Sequence, residues 1–492
     1  MAYRHGVYIE EQPTSVLPPV RVSASLPVVV GAAPVNQVGD PQKMVNNPFL
    51  AYTYQEAVEA LGFCDDNDNK DTPWGGFHLC EFMDAYFRRF AVSPVVLINV
   101  LDPESHTESV SEEAHEFEDG QLTIKNPGIM KDTVTVKEDI EESPTTYTEG
   151  AEEDYVLDFD SDGYLVVTKV EDGDISDDQA VKISYDYLDP SKLEASDIEG
   201  GVDEDGNKSG LELVNEIFPR FRLVPGQILA PGWSHDTAVA SLMTAKAGNI
   251  NEHFTAVAVT DLNDSEVKKY QDAPQTKNDN NFTDPLQVVC WPRLKLGNRT
   301  YWMSSQLAGL MAHVDGNNEG IPVASPSNHN LQMDSAVADG EEVWLGPEQA
   351  AYLNGQGIVT ALNFIGGWKA WGNRTAAYPA STDPREAFIP IRRMFNWIGN
   401  TLVQTFWQRV DYPIRKRLIE TVVDSANIWL NGLAAREFIL GGRIEFSEDL
   451  NPVTDLMDGI VRFHVRVTPP SPARDLTFVL EYDPKYFDAL FD

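Results

Sequence analysis

Cysteine is scarce. Cys64, Cys80 and Cys290 are the three in a chain of 492 residues, and no two of them form a Cys-x-x-Cys pair. So few thiols suggest neither a disulfide framework nor a thiolate zinc site, and the simplest expectation is that they are buried and reduced. Long apolar runs are also missing. No window approaches the ~18 uninterrupted apolar residues of a membrane helix, and the opening Met1-Ala2-Tyr3-Arg4-His5-Gly6 lacks the apolar stretch of a signal peptide. The expectation is a soluble chain assembled in a cytoplasm, with no membrane insertion. Basic residues are few, 37 against 77 acidic ones, for a formal net charge of -40. Neutralising phosphates needs a basic face, so the balance argues against direct nucleic-acid binding.

What the chain does have is enough apolar material, 42% of its residues, for large cores. Its length suggests about two to four domains. The acid is unevenly spread: from Leu101 to Gly210 there are 33 acidic and 7 basic residues, from Arg385 to Asp492 there are 15 and 13. The middle block reads as short alternating strands (Leu122 to Ile124, Thr133 to Val136, Tyr164 to Val167, Val181 to Tyr185) between Asp, Gly and Pro turns. That pattern predicts a small antiparallel β domain over 101–210. Its charge opposes dense packing, so it is expected to face solvent, inserted into a less charged core.

The core, 26–100 and 211–384, reads as α/β. Leu26 to Gly31 is a buried strand, and Thr53 to Glu56 has capping-box spacing for a helix ending near Gly62. After the insert, strands at Gln227 to Ala230, Phe254 to Thr260 and Ile358 to Leu362 alternate with helices at Ser234 to Gly248, Ser305 to Val314 and from Pro347 to Gly357. Strand, helix, strand implies a mostly parallel sheet. The fold class expected is therefore α/β, or α+β multidomain, with a mixed sheet core and a C-terminal region of its own.

That region, 385–473, carries two amphipathic helices. Ile391, Phe395, Ile398, Leu402 and Phe406 recur at helical spacing, and Asp411-Tyr412-Pro413 is a plausible cap for a second helix bearing Ile414, Leu418, Val422 and Trp429. A strand from Ile460 to Val467 follows, then a linker with Pro469, Pro470 and Pro472. In the last stretch, 474–492, Leu476, Phe478, Leu480 and Tyr482 alternate with Thr477, Val479 and Glu481 at a period of two. A lone strand cannot stand in water. It either forms a hairpin with Ile460 to Val467, across a loop longer than is usual, or serves as an arm completing another subunit's sheet. The first 25 residues offer a matching piece, with Val7 and Ile9 alternating against Tyr8 and Glu10 before the loose run Gln12 to Pro19.

Residue types suited to catalysis or metal binding do not assemble into a pattern. Ser234-His235-Asp236 has triad chemistry, but three adjacent residues cannot converge as nucleophile, base and orienter, and a helix start explains them. Asp158-x-Asp160-x-Asp162-Gly163 opens like a calcium loop, yet Lys169 stands where a bidentate glutamate is needed, so a hairpin turn is the better reading. Gly366-Gly367 matches no phosphate-binding run. His78, His253 and His464 lie in unrelated contexts, and no catalytic, cofactor or metal residue is expected.

Several segments together resemble one family. Gly6-Val7-Tyr8-Ile9-Glu10-Glu11 and Val30-Gly31-Ala32-Ala33 are similar to the opening of contractile-tail sheath proteins. So are Ser304-Ser305, Ala308-Gly309, Ala312, Asp315 and Gly320, followed by Ser325-Pro326-Ser327-Asn328. Leu353-Asn354, Gly357-Ile358 and then Trp371-Gly372-Asn373-Arg374-Thr375 resemble the family's Trp-Gly-x-Arg-Thr signature, with asparagine at 373 where alanine is expected. The resemblance also takes in Trp397, Asn431-Gly432 and the Pro-flanked final strand. It leaves out 101–210.

The resemblance implies a structural subunit that polymerises helically around an inner tail tube and contracts to drive it through a cell envelope. Its implied partners are copies of itself, the tube protein, and baseplate and tail terminator proteins. The implied place is the tail of a virion or tail-like particle, assembled in the cytoplasm of a bacterial host. Terminal arms would exchange strands between neighbours, through Val7, Tyr8, Ile9 and Glu10 at one end and Leu476, Phe478, Leu480 and Tyr482 at the other. One face must hold the tube. Arg415-Lys416-Arg417 opens a helix, where cations meet the positive end of the dipole, and an acidic tube would explain the arrangement as well as a solvated basic face does. Competing readings are a hydrolase or carbohydrate-binding protein with an unrecognised site, and a static surface-layer or capsid protein.

Overall fold

The computed structural model describes residues 23–490, apart from 68, 70, 71, 141–143 and 177–178. Val7, Tyr8, Ile9, Glu10 and the run 12–19 lie outside the described residues. The core begins with β1 (Pro27–Gly31), β2 (Phe49–Ala51), α1 (Tyr54–Leu61), α2 (His78–Met83) and β3 (Val95–Asn99). Six strands follow in the acidic block: β4 (Thr107–Glu116), β5 (Gln121–Ile124), β6 (Thr135–Glu138), β7 (Tyr155–Phe159), β8 (Leu165–Lys169) and β9 (Ala180–Leu188). The chain then passes through α3 (Ala195–Glu199), α4 (Val214–Phe221), β10 (Gln227–Leu229), α5 (Thr237–Gly248), β11 (Val257–Asp261), α6 (Ala273–Asp279) and β12 (Gln287–Cys290). A four-stranded antiparallel sheet combines β13 (Arg293–Leu296), β14 (Arg299–Tyr301), β15 (Ser335–Ala338) and β16 (Glu341–Val343), with α7 (Met303–Gly316) between its halves. The rest comprises α8 (Pro347–Asn354), β17 (Ile358–Asn363), β18 (Trp368–Trp371), α9 (Pro384–Ala387), α10 (Ile389–Phe406), α11 (Lys416–Ala435), β19 (Gly441–Glu445), α12 (Val453–Met457) and β20 (His464–Thr468).

The main sheet has the order β18-β17-β12-β11-β10-β1-β3-β2, parallel except for its two edge strands. Parallel strands are covered on both faces, which is why Val28-Val29-Val30 and Val95-Val96-Leu97-Ile98 are unbroken apolar runs, each residue fully buried. β1 lies between β3 and β10, so the halves before and after the acidic block form one sheet. α7 is buried along nearly its whole length. Gly309 lets it approach its neighbour: a Cβ there would stand 2.7 Å from the Phe90 ring.

β4 to β9 make two three-stranded antiparallel sheets around a separate apolar cluster that includes Phe117, Leu122, Leu157, Leu165 and Ile183. The β7–β8 hairpin turns where the sequence places a turn. Asp160 accepts the N–H groups of Asp162 and Tyr164 at 2.9 Å each, so the Asp-rich run serves its own backbone.

Local signals set most helix starts. Thr53 caps α1 by accepting the Glu56 N–H at 3.2 Å, and Glu56 reaches back to the Tyr52 N–H at 2.8 Å. Two starts differ from expectation. α5 begins at Thr237, because Asp236, and not Ser234, accepts the Ala238 and Val239 N–H groups. α11 begins at Lys416, not at Asp411-Tyr412-Pro413: Asp411 is left-handed at φ 65° and Arg415 is extended, so Ile414 precedes the helix.

The largest correction is at the C-terminus. Leu476 to Tyr482 forms no strand, and β20 pairs instead with β19, a strand the periodicity did not disclose. The hairpin between 476–482 and 460–467 is therefore absent. Pro469, Pro470 and Pro472 follow β20 directly, so the chain leaves the ribbon without the short turn that a hairpin needs.

Candidate functional site

The Trp-Gly-x-Arg-Thr segment closes one end of the main sheet. The Asn354 amide nitrogen faces the carbonyls of Trp371 and Ile358, at 2.7 and 2.9 Å. Gly372 has φ 145°, and a Cβ there would meet the Asn354 side-chain amide at 2.7 Å and the Val359 Cα at 3.0 Å, so only glycine fits. Its N–H donates to the Ser327 hydroxyl at 3.0 Å, and Asn328 donates to the Ala370 carbonyl at 2.7 Å. Thr375 is buried, with its hydroxyl donating to the Glu386 carbonyl. Leu-Asn, Ser-Pro-Ser-Asn and Trp-Gly, distant in sequence, thus converge. They line an open groove of about 540 Å³ whose far wall is the C-terminal linker, Pro472 to Arg474. Arg374 lies in it, its guanidinium 4.3 Å from the Tyr378 ring centre and 3.7 Å from that of Phe388.

Asp315, another motif position, anchors the root of the N-terminal segment. Its carboxylate accepts from Arg393 on α10 (Nη1 at 3.2 Å, Nη2 at 2.5 Å) and from the Ser25 hydroxyl. Arg393 also donates to the Ala24 carbonyl at 3.3 Å. Both partners of the ion pair are about 2% exposed or less.

Ser234, His235 and Asp236 do not form a triad. The Ser234 hydroxyl exchanges hydrogen bonds with Asp261, the His235 ring stacks on Trp302, and Asp236 caps α5. Two buried acids nearby have raised pKa values. Glu81 is pushed up to about 8 by burial, although the Ser305 hydroxyl and Trp302 N–H it accepts oppose the shift. Asp261 is pushed up to about 6 by burial and accepts the Ser304 N–H. His78, also buried, is pushed down to about 4. Perturbed carboxylates in a cleft are a signature of enzymes, but here one oxygen of each, Glu81 Oε1 and Asp261 Oδ1, accepts hydrogen bonds at the start of α7. Sequence reasoning missed both; Glu81 lies in a local pattern unremarkable for a buried helix.

Further surface features lie near the C-terminus. Leu476, Phe478, Leu480 and Tyr482 are between 75% and 95% exposed. β19 and β20 form a two-stranded ribbon against α11. Asn427 blunts the outer edge of β19, its side chain bonding both the N–H and the carbonyl of Ile444. No described strand pairs with the outer edge of β20. Beside the ribbon, an apolar groove of about 510 Å³ runs between α10 and α11, lined among others by Leu402, Phe406, Val422, Phe463 and Val465. Arg415, Lys416 and Arg417 are exposed at the start of α11, whose first turn holds no acid. Lys416 reaches Glu420 at 3.5 Å, and among the described residues the two arginines have no ion pair.

No family profile matches the chain. Individual proteins do. The chain is 28% identical over 496 residues to a tail sheath protein of Burkholderia phage BcepMu, covering 98% of each. Its fold is similar to that of the sheath complex of an extracellular contractile injection system (PVC) in the contracted state, with a TM-score of 0.59 at 15% identity and 99% of each chain covered. It is likewise similar to the contracted helical sheath of the anti-feeding prophage, at a TM-score of 0.56 and 14% identity, covering 98% of this chain and 100% of that one. The chain is thus similar along its full length to a phage tail sheath protein, and its fold is that of contractile sheath subunits.

Proposed function

We infer that this chain is the structural subunit of a contractile tail sheath, polymerising helically around an inner tube and contracting to drive that tube through a cell envelope. One observation carries the polymer: an apolar C-terminal segment stands in solvent although a ribbon in the same chain has an open strand edge. A chain that worked alone would gain by covering such a segment, since burying each large apolar side chain is worth about 1.5–3 kcal/mol. Leu476, Phe478, Leu480 and Tyr482 then form the strand they fail to form alone, on the β20 edge of another copy, with Val7, Tyr8, Ile9 and Glu10 as the arm at the other terminus. Strand addition supplies main-chain hydrogen bonds, and heterologous contacts of this kind build an open helix.

The linkers at 12–19 and 468–474 keep copies joined while the bodies slide and rotate. The extended tube is a metastable state held by a kinetic barrier and released by a baseplate signal. No nucleotide, metal or catalytic residue enters this mechanism. Arg415, Lys416 and Arg417 hold an acidic face of the tube before firing. The block 101–210 forms an outward, solvent-facing domain on a core made of 26–100 and 211–384, with 385–473 as the C-terminal domain. Baseplate and terminator proteins bound the polymer, in a virion tail or tail-like particle assembled in the host cytoplasm.

The test is negative-stain electron microscopy of the chain, with and without its tube protein, comparing the full sequence with one lacking 1–11 and 474–492. Hollow tubes that vanish on truncation support the reading. Compact monomers from the full chain, even with the tube protein present, refute it. Tubes of a single length under every condition favour a static surface layer or capsid.

A further inference from the structure

The groove at the Trp371-Gly372 turn carries an inference that rests on the sheath reading and goes beyond it. In a chain with 77 acidic and 37 basic residues, its lining includes Arg374 and Arg474 and not one carboxylate. Among the described residues neither arginine has an ion pair, and the Arg374 guanidinium has no hydrogen-bond acceptor. Arg374 is held by ring faces, which fix its plane and leave its N–H groups free. Burial holds its pKa below the ordinary value, and the nearby Arg474 charge pushes in the same direction. Two guanidinium groups facing one groove repel each other, and an anion between them would turn that repulsion into two charge-assisted contacts. Ser325 and Asn328 supply further polar groups in the same lining.

We propose that Arg374 and Arg474 form an oxyanion site whose occupant is the side-chain carboxylate of an acidic residue on a second copy of this chain. A second copy is the source because the groove wall is the root of the apolar segment. Leu476 lies two residues beyond Arg474, about 7 Å of extended chain, so a copy that takes up 476–482 is brought to the mouth of the groove. Its surface is also rich in acid. The site would fasten the base of the arm, where pulling between copies is transmitted, and it gives the Trp-Gly-x-Arg-Thr segment a role in assembly as well as in closing the sheet.

The experiment compares the full-length chain with the variants Arg474→Gln, Arg374→Gln/Arg474→Gln and Arg474→Lys. Arg474 is exposed, so Arg474→Gln leaves the unfolding midpoint of the dispersed chain unchanged and isolates assembly from folding. The expected result is that it raises the chain concentration at which tubes form by about tenfold, and the double variant raises it further. Arg474→Lys places a primary amine in the site. A carbodiimide then couples this amine to the facing carboxylate: the amide forms, the carboxylate loses one oxygen, and the carbodiimide takes up the elements of water as its urea. Peptide mass spectrometry should find an amide between position 474 and an acidic residue of another copy in tubes and not in dispersed chains. Tubes that form at wild-type concentrations with both glutamine variants, with no such amide, overturn the proposal. If inorganic phosphate raises the unfolding midpoint of the wild type and not of the double variant while assembly is unaffected, the site takes a free anion and the second-copy assignment is wrong. If the wild type itself makes no tubes beside its tube protein, the sheath reading fails and this proposal falls with it.

Discussion

The buried clamp of Ser25, Asp315 and Arg393 permits a quantitative prediction. Replacing Arg393 by methionine keeps most of the side-chain volume and removes the guanidinium that contributes two of the three hydrogen bonds to the Asp315 carboxylate. The carboxylate is then left buried beside a single hydroxyl. Breaking a fully buried pair from one side costs about 3–5 kcal/mol, or roughly a hundred- to several-thousandfold in the folded-to-unfolded ratio. Removing both charges, with Arg393→Met and Asp315→Leu together, should cost much less, because no uncompensated charge remains. The assay is urea unfolding of the dispersed chain, followed by tryptophan fluorescence and circular dichroism; coincident transitions justify a single free energy. The double-mutant cycle should give a coupling of at least about 2 kcal/mol. Additive effects, or a cost below about 1 kcal/mol for Arg393→Met, would refute the view that this pair is dry and tightly coupled. Because Ser25 and the Ala24 carbonyl belong to the clamp, Arg393→Met tubes should also break under lower shear than the wild type if the N-terminal arm transmits load to the core here.

Three other outcomes are expected. Glu81 has its folded-state pKa raised from 4.5 to about 8, so its stabilising contribution is complete below about pH 4.5 and declines as pH rises toward 8; Glu81→Gln should flatten that part of the stability–pH profile, and an unchanged slope would show that other groups set it. Gly372→Ala forces a Cβ against Asn354 and Val359 at a positive φ and should destabilise by about 2 kcal/mol or more in thermal or urea unfolding. Arg415→Glu with Lys416→Glu should leave the dispersed chain as stable or slightly more so, since carboxylates suit the start of a helix, while weakening retention of the tube in co-sedimentation, most at low salt; retention equal to wild type would rule out a tube-facing role.

Much of the fold was legible where the signal is local. Val28 to Val30 and Val257 to Val259 are continuous apolar runs because both sheet faces are covered, and they read as buried strands without any knowledge of their neighbours. Thr53 and Glu56 declare a helix start because a cap acts over three residues. β19 was not legible: Gly441-Gly442-Arg443-Ile444-Glu445 offers one apolar side chain, and its strand exists because β20, more than twenty residues later, pairs with it. The alternation of Leu476 to Tyr482 was legible as a strand and is none in the single chain, since periodicity states a preference that only a partner can satisfy.

The sequence by itself determined most of the elements, the uneven charge and, through the order of short motifs, the resemblance to sheath proteins, because propensity, capping and turn chemistry are interactions within a few residues. Tertiary structure decided which distant polar groups came together. Arg374 and Arg474 are a hundred residues apart, Asp315 and Arg393 are 78 apart and Ser25 and Asp315 are 290 apart. Burial, the pairing of charges and the raised pKa of Glu81 depend on what the folded chain brings together and removes from water, and no spacing along the chain encodes that.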